Sequence, residues 1–146
     1  MLTLTIPQRL RNLRKDRDLL QEHVAAELGV CVDTLSHWET GANTPRVHHI
    51  AAYAHLVNHR LVVRRGQDVI CDALDALPCM GELRRRAGVP WAVLRERLHY
   101  TPKTLEGLES HMRRHGVRLT TLQPYLEALG YTLALIPAAP AKQVAA

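Results

Sequence analysis

Apolar residues recur at spacings of three and four through the first part of the chain, a pattern that predicts packed helices. A first helix is predicted to begin near Pro7, since proline suits a first turn. A second is predicted over Gln21–Leu28 and a third over Val32–Thr40. A fourth follows Pro45, and "RLVVRR", which ends at Arg65, is the clearest strand candidate of this half. We therefore expect a mainly α fold.

The pattern after Gly66 is ambiguous. "QDVICDALDAL" fits an amphipathic helix that would turn Val69, Ile70, Ala73, Leu74 and Leu77 inward. The longer run "LVVRRGQDVIC" instead fits a hairpin that turns at Gly66-Gln67. Short apolar runs do not separate helix from strand, so both interpretations stay open.

The second half of the chain repeats the first. A shift of 70 residues places Arg14 on Arg84 and Glu39 on Glu109, with apolar positions and element order also in agreement. With two more residues in a loop, "IAAYAHLVNHRLVV" overlays "LQPYLEALGYTLAL". We interpret this as an internal repeat. The segments "RLVVR" and "TLALI", which occupy equivalent places, could pair as a small sheet that joins the halves.

The stretch "LGVCVDTLSHWETGANTPR" predicts a tight turn between two helices. Gly29 permits a sharp change of direction without a Cβ clash, and Ala25 is small enough for the third helix to cross close to the second. Leu35 and Trp38 would clamp this crossing. Four side chains are left on the outward, N-terminal face of the third helix: Val32, Asp33, Thr34 and His37. A short helix projected at a steep angle suits the major groove of B-DNA.

Residues 7–65 resemble the lambda-repressor and Cro-type regulators, also called the XRE family. The resemblance rests on "QEHVAAELGV", "DTLSHWETG" and "NTPR". It implies a five-helix domain that binds double-stranded DNA through a helix-turn-helix. It also implies that Val32, Asp33, Thr34 and His37 read bases, that Gln21, Asn43, Thr44 and Arg46 hold the DNA backbone, and that Arg14 pairs with Glu39. Asp33 could accept from a cytosine amino group and Val32 could meet a thymine methyl.

By the same overlay, Thr101 would cap a helix that starts at Pro102. A second DNA-contacting element would then include Thr101, Lys103, Thr104, Arg113, Arg114 and Arg118, with the last three in a basic loop, and Arg84 would pair with Glu109. Arg95 stands in place of the small residue and His99 in place of the turn glycine, while Gly107 weakens the helix. A packing or dimerisation domain therefore remains the alternative.

These patterns give a division of the chain. We expect a helix-turn-helix DNA-binding domain over 1–65, a linker (helix or hairpin) over 66–77, a divergent helix-turn-helix-like domain over 78–137, and a disordered tail over 138–146. The fold class is a lambda-repressor-like helical domain followed by a second small helical domain, with a short β ribbon between them.

Composition narrows the class of protein. An apolar fraction of 47% without phenylalanine predicts a core of leucine, valine, isoleucine and alanine, and a net charge of +5 favours a polyanionic partner. Three cysteines without CxxC spacing fit a reducing compartment. No signal peptide or bilayer-spanning run is evident, so we expect the cytoplasm of a bacterium or phage-infected cell.

Other chemistry finds little support in the sequence. His55 and His59 have the i, i+4 spacing of a metal site, but no cysteine or carboxylate partner has matching spacing. Cys31, at the start of the third helix, is either a redox-sensitive thiol or a plain one. We expect no metal, cofactor, small-molecule ligand or enzyme activity.

The sequence as a whole predicts a sequence-specific transcriptional regulator, most naturally a phage immunity repressor. It would act on operator DNA either as a homodimer or as a monomer whose two copies form a pseudo-dimer. Two alternatives remain: an antitoxin, or an interaction protein whose second domain binds a partner protein or dimerises.

Overall fold

The computed structural model describes residues 4–115 and 117–138. The first half contains α1 Ile6–Asp16, α2 Gln21–Leu28, α3 Val32–Thr40, α4 Val47–Leu56, β1 His59–Arg65 and β2 Asp68–Asp72. The second half contains α5 Ala73–Ala76, a 3-10 turn at Leu77–Cys79, α6 Met80–Ala87, α7 Trp91–Leu98, α8 Pro102–His115, α9 Leu119–Ala128 and β3 Thr132–Pro137. The predicted mainly α fold with a small ribbon is confirmed.

Helix α1 begins where its sequence supplies a cap. The Thr5 hydroxyl accepts from the Gln8 backbone N–H, and the Gln8 side chain accepts from the Thr5 backbone N–H. This capping box satisfies two of the donors that a helix start leaves without partners. Pro7 lies in the first turn, where its missing N–H costs nothing.

The segment after Gly66 agrees in part with each interpretation, because it contains a hairpin strand followed by a short helix. Gly66, at φ +62°, makes the turn of a β1–β2 hairpin, and β2 pairs antiparallel with β1. The helix starts only at Ala73 and is four residues long before the 3-10 turn. The fifth helix implied by the family resemblance is replaced, since β1 follows α4 directly.

The sheet has the order β2-β1-β3, with β1 central. β1 pairs antiparallel with β3, and Val62 lies opposite Ala134. The predicted pairing of "RLVVR" with "TLALI" is therefore present and joins the two halves. Leu61, Val62 and Val63 are all buried, so β1 is covered on both faces.

The segments α1–β1 and α6–β3 share one element order, four helices followed by a strand. α7 repeats α2 at a shift of 70 residues, α8 starts 70 residues after α3, and α9 repeats α4 at a shift of 72. Left-handed backbone conformations recur as well, in the pairs Asp18 and Gly88, Gly29 and His99, and Asn58 and Gly130. Buried residues of both halves form one hydrophobic cluster.

The predicted disordered tail lies outside the described residues except for Ala138. The Ala138 backbone N–H donates to the Asn58 carbonyl at 2.9 Å, one step beyond the last β1–β3 pair.

Candidate nucleic-acid interface

The turn between α2 and α3 is held by backbone hydrogen bonds around Gly29. Gly29 has φ +71° and ψ +30°, a left-handed conformation that costs glycine little. The Val30 N–H donates to the Ala25 carbonyl at 3.0 Å, which closes the end of α2. Ala25 and Leu35 are fully buried at the crossing, so α3 is fixed close against α2.

The N-terminal face of α3 is exposed, as a recognition helix requires. Val32 is 37% exposed, Asp33 and His37 are exposed, and Thr34 is half-buried. The Thr34 hydroxyl lies 3.0 Å from the Cys31 thiol, and this hydrogen bond lowers the pKa of Cys31. The four predicted base-reading side chains thus lie together on one surface and none packs in the core.

The loop after α3 continues this surface. Asn43 and Arg46 are exposed and Thr44 is half-buried, while Pro45 is buried. The Asn43 N–H donates to the His37 carbonyl at 3.2 Å, which ties the loop to the end of α3. Arg46 is the N-cap residue of α4. The loop side chains expected on the DNA backbone therefore border the exposed face of α3.

A buried ion pair fixes the C-terminal half of α3. Arg14 makes two hydrogen bonds of 2.9 Å to Glu39, and its third contact is to the Leu19 carbonyl. The Glu39 side chain is only 1% exposed. Tyr53 of α4 donates to the same carboxylate at 2.5 Å. One carboxylate thus joins α1, α3 and α4.

Gln21 donates its amide to Glu39 at 3.0 Å and belongs to this network. The amide carries two hydrogens, so one remains for the phosphate contact that the family resemblance implies. The sequence did not indicate this internal role.

The network controls the ionisation of its members. Burial alone would raise the pKa of Glu39, but hydrogen bonds from Arg14, Tyr53 and Gln21 outweigh it and lower the pKa below its usual value. Burial and the neighbouring carboxylate raise the pKa of Tyr53. Glu39 is therefore a carboxylate, and Tyr53 a neutral donor, across the physiological range of pH.

The second copy contains a looser version of the same network. The Arg84 Nε lies 3.5 Å from Glu109, and Tyr125 of α9 donates to Glu109. The residue equivalent to Gln21 is Trp91, whose ring lies 4.2 Å from the Arg84 guanidinium carbon. Stacking on tryptophan draws Arg84 toward α7, which accounts for its less direct contact with Glu109.

The start of α8 also matches the start of α3. The Thr101 hydroxyl accepts from the Thr104 N–H at 3.2 Å and donates to the Thr104 hydroxyl at 2.8 Å. Thr101 therefore caps α8, in the place that Cys31 has in the first copy. Lys103 and Thr104 are exposed.

The turn before α8 keeps its shape without glycine. His99 takes φ +57° and ψ +38°, close to the conformation of Gly29. The Tyr100 N–H donates to the Arg95 carbonyl at 3.1 Å, the counterpart of the Val30 bond. The left-handed turn between α7 and α8 is therefore kept with histidine in the place of glycine.

The predicted basic loop of the second copy is partly wrong. Arg113 and Arg114 lie in the last turns of α8 rather than in a loop, because this helix runs to His115. The side chains of both arginines lie outside the described part of the structure. Arg118 is exposed at the N-cap of α9, in the place that Arg46 has in the first copy.

These features resemble those of known proteins over one part of the chain. Residues 8–59 match the family model of a helix-turn-helix domain. The matched segment runs from α1 to the first residue of β1 and contains the exposed face of α3, so the match supports a DNA-binding helix-turn-helix in the first copy. No curated protein and no solved structure matches the chain.

Two further observations concern other kinds of site. Within residues 4–115 and 117–138 there is no group of three or more histidine, cysteine, aspartate or glutamate side chains that could hold a metal. No helix in those ranges is long and apolar enough to cross a membrane.

Proposed function

We propose that this chain is a sequence-specific regulator of transcription that binds double-stranded operator DNA, and that it represses in the manner of a phage immunity repressor. The observation that carries the proposal is the exposed N-terminal face of α3 on a rigidly oriented helix. Val32, Asp33, Thr34 and His37 read bases, while Gln21, Asn43, Thr44 and Arg46 hold the DNA backbone. Occupancy of the operator would block polymerase.

Rigid support is what makes this face suitable for recognition. The exposed residues lie in the first half of α3, while Leu35, Trp38 and Glu39 hold the rest of the helix in the core. A helix held in this way loses little conformational entropy when it enters a groove. Base contacts then add to affinity rather than offset an ordering cost.

We assign a second DNA-contacting element to the start of α8, with Thr101, Lys103 and Thr104 at the groove and Arg118 at the backbone. Support comes from the shared cap, the shared left-handed turn and the equivalent ion pair of Arg84 with Glu109. Arg113 and Arg114 extend the basic character of this element along α8. One chain would then contribute two non-identical recognition helices.

The alternative function is binding of a partner protein, as an antitoxin does. It is favoured by a cleft of about 460 Å³ that Ala51, Leu56 and Leu74 help to line, between α4 and the β2–α5 segment and outside the second copy. Val69, Ile70 and Leu74 expose apolar surface nearby. On this alternative the second copy is indifferent to DNA sequence, which the half-site experiment in the Discussion decides.

Replacing Thr34 or His37 with alanine should change which base is preferred at one operator position, by about 1–3 kcal/mol. The physical reason is that each exposed side chain meets a base edge rather than a phosphate. The measurement is binding to a set of duplexes in which each operator position is varied in turn. Equal losses on every duplex would contradict the base-reading role.

Replacing Arg46 with alanine should leave half-site base preferences unchanged and flatten the dependence of log K on log salt by about 0.9. Arg65→Ala is the control, because it removes the same charge from an exposed residue at the end of β1, which has no assigned role at the DNA. Titrations over a range of salt concentrations give both slopes. An unchanged slope for Arg46→Ala would exclude Arg46 from the DNA contact.

A further inference from the structure

The loops that precede α4 and α9 meet at one pair of arginines. The Val47 N–H donates to the Val117 carbonyl at 2.8 Å, and the Leu119 N–H donates to the Pro45 carbonyl at 3.0 Å. Between these two bonds, Arg46 and Arg118 face each other as an antiparallel bridge. Together the bonds make a miniature antiparallel ribbon between the two copies.

The partners in this ribbon are equivalent to one another. The shift of 72 residues that relates α4 to α9 carries Arg46 onto Arg118. The same shift exchanges the two hydrogen bonds, since Val47 becomes Leu119 and Pro45 becomes Val117. A residue that pairs with its own equivalent marks a point on a two-fold axis.

The sheet marks a second point on the same axis. Val62 pairs with Ala134, and these residues are also equivalent at a shift of 72. The flanking pairs, Leu61 with Leu135 and Val63 with Leu133, exchange under the same operation. The midpoints of the arginine pair and of the Val62–Ala134 pair define a line, the pseudo-dyad of the chain. α4 and α9, which are equivalent helices, contact each other beside it.

The pseudo-dyad makes the chain an isologous dimer within one polypeptide. The β2 strand and α5 follow β1 and lie on the side of the first copy, so the symmetry holds for α1–β1 and α6–β3 but not for this insertion. The recognition helices α3 and α8 are then related by the axis and face the same end of it.

The arginine end of the axis is the end near the recognition helices. Each arginine follows the loop that leaves a recognition helix, and both are exposed. The hydrogen bonds flank the pair rather than join it, which places the two Cα atoms about 4.5 Å apart with side chains on one face. Like charges on directly opposite residues of such a pair destabilise it, and an anion bound beside them would relieve that cost.

A group of aromatic rings borders the arginine end of the axis. The pKa of His49 is lowered first by burial and then by the charges of His48 and Arg46. His49 stacks against both Trp38 and His48, next to the Arg46 cap. A lowered pKa favours the neutral imidazole of His49, so the positive charge at this end of the axis comes from Arg46 and Arg118.

We propose that the pseudo-dyad coincides with the centre of the operator, and that Arg46 and Arg118, beside the backbone there, extend together into the minor groove between its two strands. This rests on the proposed function. Two recognition helices in successive major grooves lie about 34 Å apart on one side of the duplex, and the minor groove faces the protein midway between them. A narrow, A·T-rich minor groove has an enhanced negative potential that attracts arginine. One chain thus recognises an operator with two similar half-sites, together with the shape of the minor groove at the centre of that operator.

The experiment uses the full chain and an operator duplex recovered by selection from random sequence. The half-sites are kept constant, and the central base pairs are made A·T, G·C or inosine·C. Inosine lacks the N2 amino group, so inosine·C has the minor groove of A·T and the major groove of G·C. Wild-type protein should bind the A·T and inosine·C centres alike and the G·C centre about tenfold more weakly. The complex should contain one chain per duplex.

Matched variants assign the effect to the pair. Arg46→Ala and Arg118→Ala should each reduce the difference between centres to about twofold or less, while Arg65→Ala should keep it. Inosine·C binding as weakly as G·C, indifference to the centre, or two chains per duplex would each overturn the inference. Failure to select any preferred duplex would overturn the proposed function itself. Selection of a duplex whose binding depends on Thr34 but not on its centre would overturn the inference alone.

Discussion

Replacing Glu39 with alanine should lower the free energy of unfolding by about 3–5 kcal/mol. The change leaves the Arg14 guanidinium, 7% exposed, as a buried cation without its partner. It also removes the acceptor of the Tyr53 and Gln21 hydrogen bonds. Chemical denaturation followed by circular dichroism measures the loss.

The internal repeat supplies the control for this change. Glu109→Ala removes the equivalent carboxylate, but Arg84 and Glu109 are 12% and 17% exposed and their contact is 3.5 Å. Arg84 also keeps its stacking contact with Trp91. The loss at Glu109 should therefore be clearly smaller. Equal losses at the two sites would contradict the view that burial sets the strength of the pair.

The acid limb of stability tests the same network. Because the pKa of Glu39 is lower in the folded state, its contribution is fully present above the unfolded value of about 4.3 and is lost as the pH falls through the folded value. Glu39→Gln removes this titration and should flatten the stability profile below about pH 4.5. A variant with an unchanged acid limb would show that Glu39 does not govern it.

The helix pair of the first copy could be predicted because local signals agree with packing. Gln21–Leu28 and Val32–Thr40 have the bounds expected from the sequence, since Gly29 permits the turn and Leu35 and Trp38 are spaced for one buried face. The recurrence of helix bounds at shifts of 70 and 72 residues could be predicted too, because equivalent positions carry similar apolar residues. The pairing of β1 with β3 followed from it.

The other features of the fold depend on tertiary contacts, which a local sequence pattern does not contain. His99 adopts a left-handed conformation that its residue type does not demand, because the α7 cap fixes it there. Helix α8 continues past Gly107 to His115, since Leu105 and Met112 are buried on one face and outweigh the propensity cost of the glycine. The apolar run after Gly66, which the sequence left ambiguous, forms a strand up to Asp72 because it pairs with one edge of β1.

The sequence singled out the residues proposed for the candidate site but not their arrangement. Arg46 and Arg118 were each expected at the DNA backbone, yet their pairing emerges only when both loops are placed. A shift of 72 residues relates them in the sequence, so the signal was present. The sequence does not show where the two-fold axis lies, because a repeat in the sequence does not indicate which equivalent residues are in contact.

Separate truncation of the second copy is a poor test of its role. β3 covers one edge of β1, and buried residues of both halves form a single cluster, so removal of the second half would expose the core of the first. Loss of DNA binding by such a fragment would report unfolding. The two copies must instead be compared within the intact chain, through the DNA.

Scrambling either half of the operator should lower the affinity by about 10²–10⁴-fold, because the second recognition helix then gains nothing from being tethered to the first. The variants assign each half-site. Thr34→Ala should weaken binding to a duplex that retains only the half-site of α3, and Thr104→Ala should do so only where the half-site of α8 is retained. These threonines are matched, because each contacts the side chain of the residue that precedes its helix, Cys31 for Thr34 and Thr101 for Thr104.

The same duplexes decide between the two functions proposed for the second copy. If α8 reads DNA, both half-sites matter and each responds to its own threonine variant. If the second copy does not read DNA, one half-site can be scrambled without loss and Thr104→Ala changes binding to none of the duplexes. If a complete operator is bound no better than one half-site, α8 is not a second DNA-contacting element. The cleft beside α4 would then be favoured as the second functional surface.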